Sequence, residues 1–135
     1  MNYGIVVSEF NPEITEPLLA ECLRGFKEQN IEAIVIRVPG AFEIPLAVKV
    51  FIEAKKPLAV VALGAVIKGE TDHYEQVSNA CTQGIMRVSL DTSTPVIFEV
   101  LMADSVEKAM ARVSKGYSAS LVATQMARLK ESFSL

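Results

Sequence analysis

Four runs of this chain are apolar throughout or nearly so: Tyr3 to Ser8, Ala33 to Val38, Leu58 to Gly64 and Pro95 to Leu101. Each is followed by a stretch in which apolar residues recur every three or four positions. Continuous apolar runs suit strands buried on both faces of a parallel sheet, and their alternation with helical periodicity reads as repeated βα units. The first helix, from about Pro12, puts Ile14, Leu18, Cys22 and Phe26 on one face. The second groups Ile44, Val48, Phe51 and Ile52, and tolerates Pro45 because it falls in the first turn. A third, after Asp72, groups Val77, Cys81, Ile85 and Val88. Two more follow the last strand, one carrying Val106, Ala109, Met110 and Val113, the other with Leu121, Met126, Leu129 and Phe133 near its apolar face. A break at Ser114-Lys115-Gly116 separates them.

In a parallel sheet the loops after the strands all open at one edge, where ligands bind. Three such loops carry more than a turn requires. Glu9-Phe10-Asn11-Pro12 and Pro39-Gly40-Ala41-Phe42-Glu43-Ile44-Pro45 supply two aromatic rings and a carboxylate. Gly69-Glu70-Thr71-Asp72-His73 supplies the only histidine, beyond the run that ends at Gly64. Asp72 and Glu75 have capping-box spacing, with Thr71 the alternative N-cap, so His73 is expected in the first turn of a helix. Amides around Gly69, Glu70 and Thr71 would then lie at a helix start, which favours an anion such as phosphate. The same dipole disfavours an imidazolium, leaving a neutral His73 suited to acid–base work. Rings, a carboxylate, an anion turn and an imidazole together describe a small-molecule pocket.

Composition narrows the classes. The chain has 135 residues, half of them apolar, enough for one core and one domain spanning residues 1–135. A positive mean hydropathy without membrane-length runs points to apolar surface covered by further copies of the chain. The net charge of −3, with Lys and Arg scattered, argues against nucleic acid. Without a spanning segment or a basic leader before an apolar run, a cytoplasmic protein away from the membrane is expected. Cys22 and Cys81, with no CxxC pairing, read as free buried thiols, and no metal site is expected.

Taken singly, several of these residues have plainer readings: Phe10 as a core ring, Phe42 as a helix-start staple, Glu43 as a first-turn acid. Phe98 reads likewise as strand core, Arg112 as a surface residue near a helix end and Lys115 before Gly116 as a C-cap turn. Their ordered combination carries a resemblance. The phrases Phe10-Asn11, Pro39 to Pro45, Gly64-Ala65-Val66-Ile67-Lys68-Gly69-Glu70-Thr71-Asp72-His73, Phe98, and Arg112 with Lys115-Gly116 resemble the 6,7-dimethyl-8-ribityllumazine synthases of riboflavin biosynthesis.

That resemblance implies a three-layer αβα, flavodoxin-like sandwich around a four-stranded parallel sheet. It also implies condensation of 5-amino-6-(D-ribitylamino)uracil with 3,4-dihydroxy-2-butanone 4-phosphate, releasing phosphate and water, with no cofactor. Residue by residue, it puts Phe10 against the pyrimidine, Ala41, Phe42 and Glu43 along the uracil and its ribityl chain, and Ala65, Val66 and Ile67 in the same subsite through their backbones. Glu70 and Thr71 would hold the butanone phosphate with Arg112, and His73 would transfer protons. Phe98, Arg112 and Lys115 would come from a neighbouring subunit, because the resemblance implies pentamers with sites between subunits.

The short connection at Ser114-Lys115-Gly116 is similar to that of archaeal members and implies pentamers that assemble into a sixty-subunit shell, with riboflavin synthase as a partner. Glu99 stands where relatives carry a small or amide residue. Archaeal-type riboflavin synthase shares the expected fold but not these phrases; a non-catalytic lumazine or flavin carrier would bind without turnover. An FMN-binding flavodoxin-like module is disfavoured, since Asn11-Pro12 stands where its phosphate loop would be.

Overall fold

The computed structural model describes residues 2–70 and 72–134. Its strands are β1 (Tyr3–Ser8), β2 (Ile34–Val38), β3 (Ala59–Ile67) and β4 (Val96–Ala103). They form one parallel sheet in the order β2-β1-β3-β4. The two middle strands, β1 and β3, are buried at every position, as their unbroken apolar sequences require. The helices are α1 (Pro12–Glu28), α2 (Ile44–Lys55), α3 (Tyr74–Thr92), α4 (Val106–Met110) and α5 (Lys115–Ser132).

Two cores result, one on each face of the sheet. Ile14, Leu18, Cys22 and Phe26 of α1 pack with Ile5, Val61 and Leu63 and with the alanines of α5. Ile44, Val48, Phe51 and Ile52 of α2 meet Cys81, Ile85 and Val88 of α3 over Val6, Val60 and Ala62. Each fully buried large apolar side chain contributes roughly 1.5–3 kcal/mol. The helical faces expected for α1, α2 and α3 are those the fold buries, with Val77 only partly covered. Both thiols are free and buried, and burial pushes each up to about 12; for Cys22 the Glu99 carboxylate adds to the rise.

Four expectations are corrected. First, β3 continues three residues past Gly64, because β4 is long enough to pair with it as far as Ile67 opposite Ala103.

Second, α3 begins at Tyr74, with His73 at the N-cap position and its carbonyl accepting from the Val77 amide at 2.9 Å. Asp72 therefore precedes the cap, and no Asp72–Glu75 capping box forms. Gly69, at φ 92, turns the chain before the helix begins, so the Gly69 and Glu70 amides do not belong to the helix's first turn. The Thr71 alternative lies outside the described residues.

Third, α4 spans only five residues, capped by Ser105 Oγ, which accepts from the Lys108 amide at 3.2 Å. The break falls at 111–114 and Gly116 lies inside α5.

Fourth, α5 turns the opposite way from its hydrophobicity. Its buried residues are Gly116, Ala119, Ser120, Ala123, Thr124 and Ala127, while Leu121, Met126, Leu129 and Phe133 are exposed. Close approach of two helices explains this. A Cβ on Gly116 would stand 2.2 Å from the Leu18 carbonyl oxygen, and one on Gly25 would stand 2.0 Å from Ser120 Oγ. Small residues therefore line the α1–α5 seam, and the large ones are left outside.

Candidate active site

With β1 in the interior of the sheet, the chain leaves it first toward β2 and then toward β3. The crevice between the diverging connections is where open α/β sheets bind ligands. A cavity of about 200 Å³ lies there, and its walls come from the ends of three strands.

The loop after β1 extends the β1–β2 ladder: the Glu9 amide donates to Val38 O at 2.8 Å and the Phe10 amide to Pro39 O at 3.1 Å. Asn11 then adopts a left-handed conformation, φ 63 and ψ 57, which Asn tolerates better than most residues. Its side-chain Nδ2 donates to Ala65 O at 3.2 Å, and its own carbonyl accepts the Ile14 and Thr15 amides that start α1. Phe10 is thereby displayed, 59% exposed, at the cavity wall.

After β2, a single 3₁₀ turn over Ala41–Glu43 faces it. Gly40 and Glu43 bond reciprocally, the Gly40 amide donating to Glu43 Oε1 at 2.9 Å and the Glu43 amide to Gly40 O at 3.2 Å. The turn buries Ala41 and leaves the Phe42 ring 60% exposed, also lining the cavity. Ala65, Val66 and Ile67, the last residues of β3, line it too, with Glu70 just beyond them. Seven of the expected residues thus share one cavity: Phe10, Ala41, Phe42, Ala65, Val66, Ile67 and Glu70.

The others lie elsewhere. Glu43 serves as the cap of its own turn and does not line the cavity. His73 is exposed, one helical turn before Val77, which does line it. Thr71 lies outside the described residues. Phe98, 38% exposed, sits on the edge strand β4, and Arg112 lies near that strand's end, where its Nη2 donates to Met102 O at 2.8 Å. Lys115, exposed, opens α5. Half-buried Glu99 lies beside these two cations; desolvation raises its carboxyl pKa, while Lys115 and then Arg112 oppose the rise.

Asn11, Gly40 and Val77 line the cavity without having been assigned to the site. The left-handed Asn11 leaves no periodic trace in sequence, and Val77 falls on the apolar face that the spacing predicts for α3. A larger concavity of about 510 Å³, between Leu23, Lys27 and the segment 30–33, is shallow and brings no such set of groups together. Among the described residues no His, Cys, Asp and Glu cluster could hold a metal, and no helix is long and apolar enough to cross a membrane.

Comparison with known proteins gives two findings. A family model described as 6,7-dimethyl-8-ribityllumazine synthase matches residues 1–131. Among solved structures, a de novo designed Rossmann fold protein aligns over 85% of this chain and 96% of its own, with 16% identity and a TM-score of 0.46.

Proposed function

The chain belongs to the 6,7-dimethyl-8-ribityllumazine synthase family and forms that lumazine by condensation in riboflavin biosynthesis; we propose that the cavity at the ends of β1, β2 and β3 is half of its active site, completed by β4 and the α4–α5 connection of a second copy. The observation that carries this reading is a mismatch of size. Small-molecule sites usually occupy about 300–1,000 Å³, whereas the cavity on one chain holds about 200 Å³ and leaves two phenylalanine rings bare. The same chain displays Phe98 on the edge strand β4, and Arg112 lines a separate concavity beyond the end of that strand, with Met102, Ala103, Asp104, Lys108 and Ala111, none of them aromatic.

In the completed site Phe10 and Phe42 enclose the pyrimidine of ribitylaminouracil. Backbone groups of Ala65, Val66 and Ile67 read its edge, and the Glu43 oxygen not bound to Gly40 accepts from ribityl hydroxyls. The butanone phosphate lies by Glu70 and Thr71 against Arg112 and Lys115 of the adjoining copy. Arg112 suits the role because its planar fork meets phosphate oxygens in pairs.

The uracil's primary amine adds to the butanone carbonyl and loses water to give an imine. A proton then leaves carbon as the C–O bond to phosphate breaks, and the enol that results takes a proton on its terminal carbon to become the second carbonyl. The ribityl-bearing amine closes the ring on the second carbonyl position, again with loss of water. Holding both substrates together supplies much of the acceleration, as much as about 7–11 kcal/mol in ideal cases. The two cations stabilise charge on the departing phosphate, and His73 carries protons during elimination and closure.

The family resemblance supports the assembly that goes with such a shared site: pentamers, joined further into a sixty-subunit shell, with riboflavin synthase as the partner that consumes the product in the cytoplasm. The test is to follow the lumazine chromophore with both substrates, then with each omitted, with lumazine alone in a parallel tube. Product requiring both substrates supports the reading. Riboflavin from lumazine alone would point to a dismutase, and silence in both tubes, for folded protein, to a carrier.

Site sharing is tested separately by mixing Phe10→Ala and Arg112→Ala chains through dissociation and reassembly. Equal mixing restores about a quarter of wild-type activity if one copy's rings meet another's arginine, and none if each chain carries a whole site.

A further inference from the structure

Glu99 is a half-buried carboxylate on the edge strand β4, three residues before Met102, whose carbonyl anchors the Arg112 guanidinium at 2.8 Å. Three charged or titratable groups face it: Cys22 from α1, Arg112 from the α4–α5 connection and Lys115 from the start of α5. From β3, its register partner is the apolar Leu63. Among the described residues Glu99 forms no ion pair or hydrogen bond with either cation, so it does not hold them in place by contact. It is a carboxyl group whose field reaches two cations without binding either of them.

We propose that Glu99 is the counter-charge of the Arg112–Lys115 pair: ionised, it weakens their hold on the substrate's phosphate and on released phosphate, and protonated, it tightens that hold. This rests on the reading of Arg112 and Lys115 as phosphate ligands. The chemical sense is that the reaction frees an anion that must leave, and an unopposed pair of cations would retain it. Partial burial keeps the carboxylate's field from being fully screened by water, so a single charge several ångströms away changes anion affinity by about threefold to tenfold. Desolvation moves the Glu99 titration upward, toward the range where an enzyme works.

The experiment measures inhibition of lumazine formation by inorganic sulfate competing with the butanone phosphate. Sulfate remains a dianion from about pH 5 to about pH 8, so the inhibitor does not titrate, and the second ionisation of the butanone phosphate, at about pH 6, is common to wild type and variant. The quantity read is the ratio of the wild-type sulfate inhibition constant to that of Glu99→Gln, which cancels whatever the two proteins share. It should be about threefold to tenfold at the upper pH, with the Gln variant binding sulfate more tightly, and should fall toward unity at the lower pH. Glu99→Ser provides the same comparison if the Gln variant fails to fold. A ratio of one throughout, or tighter binding by the wild type, overturns the proposal. Arg112→Met separates the two layers. If it leaves sulfate inhibition at wild-type strength, the phosphate assignment itself fails; if it relieves inhibition while Glu99→Gln changes nothing, only the counter-charge fails.

Discussion

The Asn11 side-chain amide donates to the Ala65 carbonyl at 3.2 Å, tying the loop after β1 to the end of β3 across 54 residues of sequence. Both residues line the cavity, so this one bond fixes the distance between the wall that displays Phe10 and the floor of the crevice. Asn11→Ala loses the bond and places Ala in a left-handed conformation. It should destabilise the fold by roughly 2–4 kcal/mol and raise the KM for ribitylaminouracil more than that for the butanone phosphate. Urea denaturation and two-substrate kinetics check the two parts.

His73 is exposed, one helical turn before Val77 of the cavity wall. His73→Ala is expected to lower kcat by about 10²-fold at most, because positioning carries much of the acceleration. Unchanged turnover would take His73 out of the mechanism. Arg112→Ala should instead act on the KM for the butanone phosphate, and a variant with wild-type KM would refute a phosphate role.

Gly116 lies where α5 crosses α1, with the Leu18 carbonyl 2.2 Å from any added Cβ. Neither helix can yield without disturbing the buried faces of both. Gly116→Ala is therefore expected to cost about 2 kcal/mol or more in urea unfolding, whereas Leu121→Ala, outside the seam, should cost under about 1 kcal/mol in the isolated chain. The reverse ranking would refute the packing of α5 described above.

Glu99 also predicts a dependence of stability on pH. Its carboxyl pKa is raised in the folded chain above the ordinary 4.5, first by desolvation. The native state then holds a proton that the unfolded chain has released, so this contribution to stability is complete below the ordinary value and lost as pH rises through the folded one. Glu99→Gln should raise the urea midpoint at neutral pH, and the advantage should vanish toward pH 4.5. An advantage of equal size at both ends would exclude the ionisation as its cause.

The strands and the buried faces of α1, α2 and α3 were legible because period and burial coincide there: Leu18 and Cys22, or Val48 and Ile52, are both apolar and inward. Of the seven cavity residues, Phe10, Ala41, Phe42 and Glu70 were legible from their place in strand-end loops of a parallel sheet, whereas Ala65, Val66 and Ile67, inside β3, were supplied by the family resemblance alone. The orientation of α5 was not. Ala119, Ala123 and Ala127 bring little hydrophobicity to a sequence reading, while Leu121 and Met126 bring much, yet how closely α1 and α5 approach decides which set goes inside. The start of α3 was misplaced for a related reason. Asp72 and Glu75 have the right spacing for a cap, but spacing does not reveal that the turn at Gly69 delays the helix to Tyr74.

The loops that display Phe10 and Phe42 are held by the Phe10 amide on Pro39 O, by the Asn11 side chain on Ala65 O and by the reciprocal pair of Gly40 and Glu43, rather than by the rings themselves. The wall's position is thus written in the backbone together with Asn11 and Glu43, and its chemistry in two exposed rings. A scaffold of this kind can be re-lined for another flat heterocycle by changing positions 10 and 42 alone, provided Asn11 and Glu43 are kept to hold the loops.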